Sequence, residues 1–193
     1  MTEEQFNKLD GWFWWEEAVA MKEALNYIKD LNGIIVECGS YKGKSTACMA
    51  SNTNSTIYAI DPFNWDNGTY DKFKEQTKYY NNIRPIQKSA VDAIHDIKNT
   101  NEPIKLLFID CDHTYQLTKQ IYNLYLPLMT NGGIILFHDC SPINYYGFPD
   151  NDGNEPIHDI YGGWIGPTKV LWEARMKHKQ WVEGARSLHG IQI

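Results

Sequence analysis

Four short apolar runs, at residues 33–36, 56–60, 104–109 and 134–137, restrict this chain more than any other feature. Each ends on an acid or histidine: Glu37; Asp61; Asp110, Asp112 and His113; His138 and Asp139. The runs are rich in β-branched residues and show no alternation, as expected of strands covered on both faces. A weaker strand is read at 84–88. Helical patterns lie between the strands. Residues 12–29 carry Trp14, Ala18, Met21, Leu25 and Ile28 on one side, and Asn32-Gly33 stops the pattern. Further helices are predicted at 44–51, in the second half of 62–82, and at 90–97, 114–129 and 168–177, with a turn at 131–133. Segments 181–187 and 188–193 have mixed strand character. Alternating strands and helices predict an α/β, doubly wound, mostly parallel sheet. The 193 residues suit one domain, 1–193, with a helical cap over 1–32. The Pro-, Gly- and aromatic-rich stretch 141–166 is long for structureless chain and reads as a substrate loop.

In open parallel sheets, ligands bind beyond the carboxyl ends of the strands. Acids at four such ends are costly unless hydrated or paired, so packing alone does not explain them.

The segment VECGSYKGKST, from residue 36, asks which ligand. Gly39, Gly43, Lys44 and Ser45 approximate a Walker A loop, with Asp110 closing a Walker B strand. The loop is one residue short of that motif, and Glu37 would repel phosphates. A dinucleotide fold lacks its G-x-G-x-x-G signature, although Asp61 fits a ribose. S-adenosylmethionine has no phosphate. Glycines permit its close approach, helix-terminal amides suit its carboxylate, Glu37 and Asp110 suit its cationic end, and Asp61 suits its ribose hydroxyls.

Together with IYAIDPF, the block KLLFIDCDHTYQLTKQIYNLYLPLMTNGGIILFHDC and GPTKVLWE, this loop resembles a class I S-adenosylmethionine-dependent methyltransferase. The likeness is to methyltransferase family 24, which shares features with catechol-type and macrolide-sugar O-methyltransferases, and it covers about residues 33–175. It implies a Rossmann-like, seven-stranded sheet whose last strand is antiparallel, with 181–193 as the final hairpin. It implies a cofactor lined by Glu37, Gly39, Ser40, Tyr41, Gly43 and Ser45, with Asp61 on the ribose. Ser89 and Ala90 would lie near the adenine and Asp110 near the sulfonium end, with Asp112 a further cofactor-binding candidate. Catechol-type enzymes carry Asp-Asn as metal ligands after the fifth strand. Here that place reads Asp139-Cys140, preceded by His138.

Transfer of a methyl group to a hydroxyl requires alignment and removal of a proton. His113 and His138 have suitable intrinsic acidity, with Asp110 and Asp139 orienting them or acting as bases. Alternatively Asp110, Asp139 and His138 hold Mg²⁺ or another divalent ion. Structural roles compete: His113 as a helix cap, His138 as a satisfied core residue, Asp112 as a helix N-terminal charge. The abundant loop aromatics suit stacking on a planar acceptor or sugar, or plain packing. The expected function is O-methylation of a small molecule or glycan hydroxyl. A non-catalytic nucleoside-binding module is the other reading.

The net charge of −6 disfavours nucleic acid as partner. The apolar runs are too short to span a bilayer, and the acidic start resembles no targeting peptide. Four cysteines without a CxxC pair suit a reducing cytoplasm, with Cys38, Cys48 and Cys111 as buried thiols. A homo-oligomer is compatible with these features.

Overall fold

A computed structural model describes residues 1–141 and 164–193. Its strands are β1 (Ile34–Cys38), β2 (Ile57–Ile60), β3 (Ile83–Ile86), β4 (Ile104–Ile109), β5 (Met129–Phe137), β6 (Lys179–Ala185) and β7 (Leu188–Gln192). They form one sheet in the order β3-β2-β1-β4-β5-β7-β6. The first five strands are parallel, and β7 runs antiparallel to both neighbours. The helices are α1 (Glu3–Asn7), α2 (Trp15–Tyr27), α3 (Lys44–Ala50), α4 (Thr69–Thr77), α5 (Ile94–Lys98), α6 (Tyr115–Tyr125) and α7 (Ile165–Arg175).

Consecutive residues of the central strands feed opposite layers. Val36, Leu107, Ile109, Ile135 and Phe137 pack with α5, α6 and α7. Ile35, Leu106, Phe108, Ile134 and Leu136 pack with α1, α2 and α3. Burial on both faces is why these runs are apolar without alternation. The strand order changes direction at β1/β4, which leaves a crevice over the carboxyl ends.

Several boundaries differ from the sequence reading. The pattern contained no expectation of a separate α1, whose start is set by a capping box between Thr2 and Gln5. The turn expected at 131–133 continues as strand, because Gly132 N donates to Ile193 O and Ile193 N to Gly133 O. Helix α6 stops at Tyr125, and Pro127 lies in a 3-10 turn, Leu126–Leu128. Helix α7 begins at Ile165 rather than 168. Most of the 141–166 loop, including His158 and Asp159, lies outside the described residues. Cys111 is exposed, not buried as expected, whereas Cys140 is buried.

Candidate functional site

The strand ends border a cleft of about 360 Å³, the size of a small-ligand site. Of the residues predicted to contact a nucleoside cofactor, Gly39, Ser40, Tyr41, Ser45, Asp61, Ser89, Ala90, Asp110 and Asp112 line it. Glu37 and Gly43 do not.

Glu37 is 0 % exposed and sits behind the glycine loop. Its carboxylate accepts from Ser40 Oγ at 2.8 Å, Ser45 Oγ at 2.6 Å and Thr46 Oγ1. Burial raises its pKa to about 7, against the partial opposition of these hydroxyls. It holds the loop from behind and does not line the cleft. Gly43 adopts φ 85°, and a Cβ there would meet the Phe73 ring at 2.8 Å. It is needed for packing on α4.

Gly43 N donates to Ser40 O at 2.7 Å, and Tyr41 N donates to Asp61 Oδ2 at 2.8 Å. Two loop amides are thus spent internally, unlike the amides of a phosphate cradle. Asp61 also accepts from Phe63 N, so its carboxylate is fixed at the end of β2. Tyr41, Phe63 and Asp139 have φ of 44°, 54° and 57°. Left-handed non-glycine residues of this kind concentrate at functional sites.

At the other end of the cleft, His113 Nε2 lies 2.9 Å from Asp139 Oδ2. The His113 ring stacks on Trp164, with centroids 4.4 Å apart. Trp164 is brought there by its N–H, which donates to Asp139 O at 2.7 Å. Burial opposes ionisation of Asp139, yet hydrogen bonds and charge from His113 and His138 hold its carboxyl well below the usual range. Thr114, not His113, caps α6 by accepting from Leu117 N. Asp112 accepts from Thr114 N at 2.7 Å, so it supports that cap while bordering the cleft.

His138 differs from expectation. It is 4 % exposed and turned towards α2, where Nε2 meets Glu17 Oε2 at 3.1 Å. Nδ1 lies 3.1 Å from Asp110 Oδ1 and 3.4 Å from Asp139 Oδ2, without the alignment of a directed hydrogen bond. Burial disfavours the imidazolium, but these three carboxylates outweigh it and raise the His138 pKa well above its ordinary value. Both ring nitrogens thus face carboxylates, and His138 is not among the residues that line the cleft. Its companion Glu17, 0 % exposed, also accepts from Ser187 Oγ at 2.8 Å. The helical period of α2 marks Glu17 only as an acid on the polar side; besides Trp14 N, which donates to it locally, its partners His138 and Ser187 are more than 100 residues away. Asp110, beneath His138, is raised by burial despite the nearby imidazolium.

The metal-competent cluster among the described residues is Asp110, His113 and Asp139. One ligand atom from each lies within 4.8 Å of the others. His113 therefore takes the third position expected of His138. Two carboxylates and an imidazole fit a divalent ion such as Mg²⁺ or Mn²⁺.

Aromatic residues complete the wall. Trp12 stacks on Tyr41 at 4.9 Å and 8°, and meets Trp65 edge-on at 5.9 Å. Trp12 and Trp65 are 66 % and 72 % exposed. Phe13 is buried against Phe108 and His138. Segment 11–13 thus crosses the cleft from its β2 side to its β5 side. The tryptophan-rich composition around residue 12 was visible in the sequence, but its place was not.

Sheet order, antiparallel β7 and a cleft lined by acids at the strand ends define a Rossmann-like protein with methyltransferase topology. The chain belongs to the methyltransferase domain family labelled methyltransferase family 24, which it matches over residues 36–140, more than half its length. It is 31 % identical over 141 residues to the uncharacterized protein R132 of Acanthamoeba polyphaga mimivirus, a match covering 69 % of this chain and 63 % of that protein. The fold is shared with an O-methyltransferase from Bacillus cereus solved with S-adenosylhomocysteine (TM-score 0.71, 15 % identity, 100 % and 92 % of the two chains). It is also shared with CalS11, the TDP-rhamnose 3′-O-methyltransferase of calicheamicin biosynthesis (TM-score 0.66, 16 % identity, 91 % and 78 %). No helix among the described residues is long and apolar enough to cross a membrane.

Proposed function

We propose that the chain is an S-adenosylmethionine-dependent methyltransferase acting on a hydroxyl of a small molecule or glycan. One observation carries this reading: a single cleft joins a nucleoside-type end, with Asp61 pinned at the end of β2, to a His113–Asp139 pair 2.9 Å apart. The loop spends amides that a polyphosphate would need, which favours a phosphate-free donor.

In this reading Asp61 accepts from the ribose hydroxyls, and Ser89 and Ala90 border the adenine. Asp110 faces the cationic end. Asp139 orients His113, which takes the acceptor's proton as the nucleophile attacks the methyl carbon. A correctly placed base contributes about 10²–10⁴-fold. Alternatively, Asp110, His113 and Asp139 would hold a divalent ion, which when bound would lower the pKa of a coordinated hydroxyl in place of proton removal by His113. Trp12, Tyr41 and Trp65 offer flat apolar faces of the kind that planar or sugar groups use.

Calorimetry with S-adenosylhomocysteine, ATP and NAD in parallel tests the donor class. Binding of the first alone is expected. ATP binding without S-adenosylhomocysteine binding would overturn the reading. Methyl transfer itself is read as S-adenosylhomocysteine release on a panel of hydroxylated acceptors, and His113→Asn should abolish it while leaving donor affinity intact.

A further inference from the structure

Lys44 opens α3 and lines the cleft next to Ser45. Its Nζ lies 4.5 Å over the Phe6 ring. Among the described residues no carboxylate comes within salt-bridge distance of this amine. The other charges along the cleft are already matched. Lys42 pairs with Asp10 at 3.0 Å and lies 3.8 Å from Asp66. Asp139 meets His113, and Asp61 is held by two backbone amides. Asp10, the acid whose field reaches Lys44, is taken by Lys42.

The Lys44 stem is also held in place. A Cβ on Gly11 would sit 3.0 Å from Lys44 Cβ, so segment 11–13 packs directly on it, while the fully buried Phe6 lies under the amine. Burial lowers the pKa of the group. A cation that is partly dehydrated, restrained and lacking a counter-ion costs solvation free energy, and such groups are ordinarily paired.

The donor proposed for this cleft carries one anionic group, the carboxylate of its amino-acid part. We propose that Lys44 recognises that carboxylate, completing an assignment in which Asp61 answers the ribose and Asp110 the cationic end. The inference rests on the S-adenosylmethionine reading of the cleft. It makes Lys44 a determinant of donor specificity: nucleosides lacking the carboxylate leave the amine without a partner.

The test is calorimetry with two ligands, S-adenosylhomocysteine and its decarboxylated counterpart, which keeps the ammonium. Wild type should bind the first about 10–100-fold more tightly, the range of a charge-assisted hydrogen bond. Lys44→Met should lose that preference by weakening S-adenosylhomocysteine alone, and Lys44→Gln should do likewise. Thermal melts of both variants check the fold. Equal weakening of both ligands, or an unchanged preference, overturns the role of Lys44 while the cofactor reading stands. Failure of wild type to bind either ligand overturns the cofactor reading and this inference together.

Discussion

Replacing Glu37 with glutamine isolates an unusual acid. Glu37 is fully buried at the end of β1 and surrounded by three hydroxyl donors, from Ser40, Ser45 and Thr46. Burial raises its pKa from 4.5 to about 7, with the hydroxyls and the Asp110 charge acting in opposite directions. That preference for the protonated form corresponds to about 3 kcal/mol. Between pH 4.5 and 7 the folded chain holds a proton that the unfolded chain has lost. Stability is therefore complete below pH 4.5 and falls as pH rises through about 7. Glutamine is close in shape and stays neutral, so Glu37→Gln should lose this slope and approach or exceed wild-type stability at pH 8. Urea denaturation at pH 5, 6, 7 and 8, followed by circular dichroism, measures the difference. Titrating groups not coupled to Glu37 are common to the two proteins and cancel, which leaves Asp110 as the neighbour whose charge also responds. Parallel pH profiles, or a variant much weaker than wild type at pH 8, would show that the fold requires the anion and would refute the argument.

Asp61→Asn should weaken S-adenosylhomocysteine binding about 10–100-fold by calorimetry, since a charged acceptor for hydroxyls is lost. Gly39→Ala should destabilise the protein by more than about 3 kcal/mol in urea titrations. Gly39 has φ 96°, and an added Cβ would lie 1.9 Å from the Asp110 carbonyl oxygen, forcing β1 and β4 apart. His189 has a pKa pulled down to about 4, first by burial and then by Arg175, so it is neutral in the fold. The unfolded chain takes up its proton first on acidification; stability is intact above pH 6.5 and declines as pH falls towards 4. His189→Gln should flatten that decline in thermal melts between pH 7 and 4.5.

The linear chain by itself determined the class of fold. Ile104–Ile109 and the apolar half of β5 sit between two helical layers, and such strands are apolar on both faces, Lys105 apart, so their signal is local. The acids that follow them were legible as a site for the same reason: nothing in a buried strand accounts for Asp61, Asp110 or Asp139. What only the tertiary structure decided depends on partners distant in sequence. Glu17 meets His138 from 121 residues away and holds its ring towards α2. Trp12 reaches Tyr41, Gly132 pairs with Ile193, and Lys44 meets no carboxylate among the described residues, all through the packing of distant elements. Periodicity reports which residues are buried, because burial repeats with the backbone. It carries no record of which buried groups face one another, and electrostatics at this cleft is set by those encounters.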